Sequence, residues 1–319
     1  MMPALKVEHL AKTFPLKRPL FGAAPPGARA VRPMSFQVEA GETLGVVGES
    51  GCGKSTLARM LVGLLEPTEG TIEIEGEALG SAGPAEFGKL IQYVFQDPQG
   101  SLNPRKTIRQ VMEAPLRLLH GMAKPDRDRR IAEIFASVNL REEYLDRYPH
   151  EFSGGQAQRI AIARALAASP RIIVLDEPVS ALDVSVQAQV LNLLADLKTR
   201  LGLTYLFITH DLAVVEAVSD RVVVLYFGAV VEIGRAERVF ASPRHPYTSL
   251  LAKSAPVVGR SLAAPEQKGT ELPDPLNPPP GCAFAGRCPR ATDLCRAREP
   301  ELKQMGEDQL AACHHPLEH

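Results

Sequence analysis

The chain has 319 residues, 45% of them apolar and 23% charged, with a formal net charge of -1. That is a globular composition, long enough to bury a sizeable core as one large or two smaller domains. The near-neutral balance removes the electrostatic argument for nucleic acid or an anionic membrane as the main partner. No apolar stretch reaches the ~18–20 residues of a spanning helix, and no apolar segment at the N-terminus marks a signal peptide. Any membrane process is therefore expected to be served from the cytoplasmic side.

In chain order, a short strand ends at Leu10 and is followed by Ala11-Lys12-Thr13-Phe14. A Pro/Gly-rich segment from Pro15 to about Ala28 reads as a surface loop. Ser35–Val38 and Thr43–Val47 read as strands. Gly48-Glu49-Ser50-Gly51-Cys52-Gly53-Lys54-Ser55 then fits G-x-x-x-x-G-K-[ST], and a helix running on through Thr56 carries Leu57, Leu61 and Leu64 on one face. Strand, glycine-rich loop and helix together are the context in which backbone N–H groups cradle phosphates. In that context Lys54 reaches the β- and γ-phosphates and the Ser55 hydroxyl binds Mg²⁺. Cys52 is expected to be a small filler within the loop.

Thr71 to Gly76 alternates with period two, as a half-exposed antiparallel strand does. A charged, mostly helical stretch from about Pro98 to Ala168 reads as an insertion. Strands and helices alternate beyond it: Ile172–Leu175, a helix from about Val184 to Arg200 with Val190, Leu194 and Leu197 on one face, Tyr205–Ile208, then Arg221–Glu232. This βαβα order predicts a parallel sheet covered on both faces. The strand from Ile172 ends in Asp176 and Glu177, an acid placed for Mg²⁺ and an acid free to polarise an attacking water; alone, such a pair also suits a solvated strand end.

Ser153-Gly154-Gly155-Gln156 opens a helix bearing Arg159 and Arg164, just before that strand. With the phosphate loop, Gln96, Asp176-Glu177, Ser180-Ala181-Leu182-Asp183 and His210, it forms an ordered set that resembles the ATP-binding-cassette (ABC) ATPases from about Met1 to Ala252. Phe152 stands where many members have Leu. The resemblance implies an α/β P-loop NTPase with a RecA-like core, an antiparallel β subdomain and an inserted α-helical subdomain at about 98–168. It also implies that Glu177, His210 and Gln96 serve hydrolysis, that Ser55, Gln96 and Asp176 bind Mg²⁺, and that Phe14 stacks on adenine. Ser153 to Gln156 would act on ATP held by a second ATPase subunit, with Ser180 to Asp183 at the interface between the two.

Tyr93-Val94-Phe95-Gln96-Asp97-Pro98, Ser101-Leu102-Asn103-Pro104-Arg105 and Arg244-His245-Pro246-Tyr247-Thr248 are similar to segments of the oligopeptide, dipeptide and nickel importers of this family. The resemblance implies two polytopic membrane subunits, an extracytoplasmic solute-binding protein acting indirectly, a peripheral position on the inner face of the membrane, and no nucleic acid. Importers of other small solutes such as nickel, a non-transport ABC ATPase acting on nucleic acid, and an unrelated P-loop kinase or GTPase are the competing readings.

After residue 252 the composition turns Pro-rich, with Pro278-Pro279-Pro280, and leads into a small extension holding Cys282, Cys288, Cys295 and Cys313. Residues 253–319 are thus expected to be a semi-rigid linker and a four-Cys extension. Such thiols suit an iron–sulfur cluster or a tetrahedral zinc, although the C-x2-C pairs of zinc knuckles are absent. The resemblance favours a [4Fe-4S] cluster, with zinc or no metal as alternatives and His314 and His315 as possible substitute ligands. Leu317-Glu318-His319 reads as a tag remnant.

Overall fold

A computed structural model of the protein describes residues 2–16, 27–81, 83–254 and 272–318. Most of the Pro15–Ala28 loop and much of the Pro-rich linker lie outside these residues, as does His319. The elements run β1 (Leu5–Phe14), β2 (Ala28–Val38), β3 (Thr43–Val47), α1 (Lys54–Leu61), β4 (Glu69–Ile74), β5 (Glu77–Ala78), α2 (Pro84–Leu90) and β6 (Ile91–Val94). Next come α3 (Ile108–Leu118), α4 (Lys124–Ser137), two short 3-10 turns, α5 (Gly154–Leu166), β7 (Ile172–Asp176), α6 (Val184–Leu201) and β8 (Thr204–Thr209). The remainder is α7 (Leu212–Val218), β9 (Arg221–Tyr226), β10 (Ala229–Arg235), α8 (Ala236–Ala241), α9 (Pro246–Ser254), α10 (Asp293–Ala297), β11 (Lys303–Gly306) and β12 (Gln309–Ala311).

These elements fall into two compact units: residues 1–6, 37–43 and 73–208, and residues 7–36, 44–72 and 209–319. In the first, β6, β7 and β8 are parallel neighbours, with Val94 beside Leu175 and Asp176 beside Ile208. All five residues of β7 and all six of β8 are buried, as continuous apolar runs in a parallel sheet require. The helices α3, α4 and α5 occupy the stretch read as an insertion. Their buried faces are apolar: Ile108, Val111, Met112 and Leu116 on α3, Ile131, Ile134 and Phe135 on α4. On α6, Val190, Leu194 and Leu197 are buried as the spacing predicts, joined by Leu193.

In the second unit β3 lies parallel to β9, Val47 beside Val224. Three expectations change here. Arg221–Glu232 is a hairpin rather than one strand: Tyr226 pairs with Ala229 across Phe227 (φ 48°) and Gly228 (φ 78°). Two consecutive left-handed residues make the tight turn whose twist suits a hairpin. The tail returns to this hairpin, with β12 antiparallel to β10 and β11 antiparallel to β12. Leu64 is not on the face of α1, because the helix ends at Leu61 and Gly63 turns left-handed (φ 71°), leaving Leu64 61% exposed. Strand β1 also continues past Leu10 to Phe14.

Candidate nucleotide site

Strand β3, buried throughout, delivers the chain to Gly48. The loop closes at Gly53, whose φ of 101° suits glycine and whose missing side chain leaves room for the Ala30 carbonyl. Helix α1 starts at Lys54, so the amides of Lys54, Ser55 and Thr56 stand in its first turn, where N–H groups have no intrahelical partner. That is the physical basis of anion binding at a helix start. Lys54 is buried, and its ammonium donates to the carbonyl oxygens of Gly48 (2.6 Å) and Glu49 (3.0 Å), which holds the positive charge inside the loop. Ser50 and Gly51 are exposed. Cys52 is buried, its Sγ 3.9 Å from the Lys54 ammonium, and burial pushes its thiol pKa up, so it is an inert filler.

Phe14 is 40% exposed, with the Lys12 ammonium 5.5 Å from its ring centroid. It is therefore no core residue, and an exposed ring is what stacking on a base requires. His210 follows β8 and is exposed; Asp211 next to it caps α7, accepting from the amides of Ala213 (2.9 Å) and Val214 (3.3 Å).

In the other unit, Asp176 ends β7 almost fully buried. Its Oδ2 accepts from the Tyr93 hydroxyl at 2.5 Å, while its Oδ1 is buried without a hydrogen-bond partner. An orphaned carboxylate oxygen is costly unless a cation answers it, so this residue fits the Mg²⁺ role. Glu177 holds a left-handed backbone (φ 48°), its N–H donating to the Ile208 carbonyl at 2.8 Å. Such a conformation costs of order 1 kcal/mol and persists where surroundings impose it. It aims the side chain so that Oε2 accepts from Gln96 Nε2 at 3.0 Å. The structure thus brings Gln96 and Glu177 together.

Ser153 caps α5 in a reciprocal box with Gln156: the Ser153 N–H donates to Gln156 Oε1 at 3.1 Å, and the Gln156 N–H donates to Ser153 Oγ at 3.5 Å. A side chain on Gly155 would collide with Val186, and one on Gly154 would crowd Leu182 at 3.3 Å. The glycines therefore let α5 approach the start of α6. Ser180 Oγ donates to the Glu177 carbonyl at 3.2 Å, while Ser180, Ala181 and Asp183 remain exposed. Phe152 is buried and stacks edge-on against Tyr144 at 5.7 Å.

Sequence reasoning missed two supports. Tyr93 holds Asp176, and no spacing rule flags a tyrosine three residues before Gln96. Arg164 donates to the Ser101 carbonyl at 2.7 Å, tying α5 to the segment after Gln96.

In the tail, Cys282, Cys288, Cys295 and Cys313 are free thiols that line one small cavity with His314 and His315. Burial raises the thiol pKa of Cys282, Cys288 and Cys313, the last to about 11. Four thiols facing one cavity are a donor set that suits a thiolate-bound centre. Among the described residues, however, no three Cys, His, Asp or Glu side chains are grouped closely enough to hold a metal ion. His315 Nε2 lies 2.9 Å from Thr292 Oγ1 and His314 Nε2 lies 2.9 Å from the Arg298 carbonyl, so both rings have partners other than a metal.

Two family models match: ABC transporter over residues 31–180, and the C-terminal region of oligopeptide/dipeptide transporters over residues 231–295. The chain is 49% identical to a dipeptide transport ATP-binding protein, DppF, of Haemophilus influenzae, over 98% of this chain and 97% of that one. It is 45% identical to an oligopeptide transport ATP-binding protein, AppF, of Bacillus subtilis, over 97% and 96%. Among solved structures, the ATP-binding cassette MJ0796, a dimer in a post-hydrolysis state with ADP and phosphate, is 30% identical with a TM-score of 0.63, covering 73% of this chain and 98% of that chain. CbiO1 of Clostridium perfringens, part of an ABC transporter complex, is 28% identical with a TM-score of 0.65, covering 76% and 92%. Phosphate loop, acid pair, capped Ser-Gly-Gly turn and full-length likeness agree: the chain belongs to the ABC transporter family, among its dipeptide and oligopeptide transport ATP-binding proteins.

Proposed function

We propose that this chain is the ATP-hydrolysing, energy-coupling subunit of a peptide importer. It works as an ATP-closed dimer with a second ATPase subunit, on the inner face of the membrane. The dimer drives two polytopic membrane subunits, to which an extracytoplasmic solute-binding protein delivers oligopeptides or dipeptides. The observation that carries the reading is the end of β7: a buried Asp176 with one unpartnered oxygen, beside a Glu177 held by Gln96. ATP and Mg²⁺ are the expected cofactors of this family. In the reading, the amides from Gly48 to Thr56 and the Lys54 ammonium bind the phosphates and Phe14 stacks on the adenine. Ser55, Gln96 and Asp176 hold Mg²⁺, which supplies charge neutralisation when bound. Glu177 takes up the proton of the attacking water and His210 orients that water, while Ser153, Gly154, Gly155 and Gln156 complete the partner's pocket. Phosphoryl transfer asks mainly for positioning and charge stabilisation, which these groups provide.

Full-length relatives named for dipeptide and oligopeptide transport support this reading over nickel import or work on nucleic acid. Co-purification tests it: the tagged chain should bring down two polytopic membrane proteins and, in proteoliposomes, support ATP-dependent peptide uptake. Recovery with nucleic acid instead would overturn it. For the extension, we propose on the family resemblance alone that Cys282, Cys288, Cys295 and Cys313 hold a [4Fe-4S] cluster; they line one cavity, but in the described arrangement they are not grouped closely enough to hold a metal ion. Anaerobically purified protein should contain iron and sulfide with visible absorbance; stoichiometric zinc, or neither metal, overturns the assignment.

A further inference from the structure

Glu49, the second residue of the phosphate loop, is gripped from 238 residues away. Its carboxylate accepts from both terminal nitrogens of Arg287, Nη1 to Oε2 at 2.8 Å and Nη2 to Oε1 at 2.9 Å. Paired N–H···O bonds of this kind fix orientation as well as distance. Both side chains are mostly shielded from water, with 13% of Arg287 and 29% of Glu49 exposed. The N–H of Glu49 donates to the Tyr247 hydroxyl at 2.9 Å, and its carbonyl accepts from Lys54 at 3.0 Å.

The grip itself is anchored. The Arg287 guanidinium lies 5.8 Å from the Tyr226 ring and 5.6 Å from the Phe284 ring. Those rings pack with Tyr247 at centroid distances of 4.6 to 5.4 Å, and Tyr226, Tyr247 and Phe284 are all fully buried. Leu272, where the described tail begins, lies 3.6 Å from where a side chain on Gly51 would start. The tail thus meets the phosphate loop at two points, Glu49 and Gly51, on either side of Ser50.

We infer that Arg287 is a positioning residue for nucleotide binding: through Glu49 it sets the shape of the phosphate loop, making the C-terminal extension part of the ATP site. The inference rests on the reading of Gly48 to Ser55 as that site. Lys54 takes its place from the carbonyls of Gly48 and Glu49, so a loop released at Glu49 presents its lysine and amides in more than one arrangement. A ligand then binds only the competent fraction, and apparent affinity falls by that fraction. The steps after binding use other groups.

The test is a steady-state comparison of Arg287→Ala, Arg287→Lys, Glu49→Gln and Lys54→Ala with the wild-type chain, together with titration by a fluorescent ATP analogue. Arg287→Ala is expected to raise KM for ATP and the analogue's Kd about tenfold with kcat within twofold of wild type. Glu49→Gln should shift KM the same way, and Arg287→Lys should recover part of the loss. A merely structural role predicts lower kcat per mole at unchanged KM, which would overturn the inference, as would wild-type KM and Kd in Arg287→Ala. Lys54→Ala separates the two levels: loss of analogue binding there with no shift in Arg287→Ala defeats this inference alone, whereas retained binding in Lys54→Ala defeats the reading of the loop.

Discussion

At the end of β7, Asp176 keeps one buried carboxylate oxygen without a partner, whereas in the phosphate loop Glu49 has its N–H, carbonyl and carboxylate all engaged. An unmade hydrogen bond on a buried group costs about 1–3 kcal/mol, which on the proposed reading a bound cation would offset at Asp176. A saturated loop lowers the ordering cost of binding instead. On the proposed reading, the end of β7 would gain an interaction when a cation binds, whereas Glu49 is already held in place beforehand.

The largest expected effect that probes the saturated side is on stability against pH. His245 is 1% exposed, its Nδ1 accepting from the Tyr247 N–H at 3.0 Å, which requires an unprotonated nitrogen. Burial lowers its pKa from 6.5 to about 4. The unfolded chain therefore binds the proton first as pH falls, so stability present above pH 6.5 is lost towards pH 4, by about 3 kcal/mol in all. Chemical denaturation from pH 7.5 to 4 should show this slope, and His245→Gln should flatten it. An equal slope in both proteins would break the claim that this side depends on a neutral histidine beneath Tyr247.

A smaller effect is expected from Gly155→Ala, whose new methyl meets Val186. Overpacking of this kind costs about 1–3 kcal/mol. Val186→Ala in the same chain should restore most of the lost stability, read by thermal or urea unfolding. Turnover recovering together with stability would show that the glycine serves packing alone; turnover staying low would show that it also serves the partner's nucleotide. Smallest is Tyr93→Phe, which removes one hydrogen bond from Asp176, a change of about 1 kcal/mol. The Mg²⁺ concentration for half-maximal turnover should shift a few-fold. An unchanged value would mean that Asp176 does not depend on Tyr93 for its orientation.

Local chemistry was readable from the residues. The strand, loop and helix around Gly48 to Ser55 follow from a fixed spacing, and the apolar run before Asp176-Glu177 from burial on both faces. The helix start at Ser153 was legible because the residues that build it, Ser153 to Gln156, are four consecutive positions. Long-range partners were not. Nothing near Glu49 announces Arg287, and nothing near Glu232 announces its bonds to the amides of Arg244 (2.8 Å) and His245 (2.9 Å) and to Gln309 Nε2 (2.7 Å). Glu232 is nonetheless fully buried and joins β10 to α9 and to the tail. The β9–β10 turn was hidden because Phe227 occupies a left-handed position where Asn or Asp would have signalled it. The extent of β1 was hidden too, since His9 turns left-handed (φ 49°) within a strand that then continues.

The central claim is that this chain hydrolyses ATP through Glu177. Mg²⁺-dependent turnover of Glu177→Gln, measured beside equilibrium ATP binding, tests it most directly. Glu177→Gln should retain binding, accumulate an ATP-held dimer and lose turnover about 10²- to 10⁴-fold, the usual contribution of a proton-transfer group. Turnover within a few-fold of wild type would contradict it.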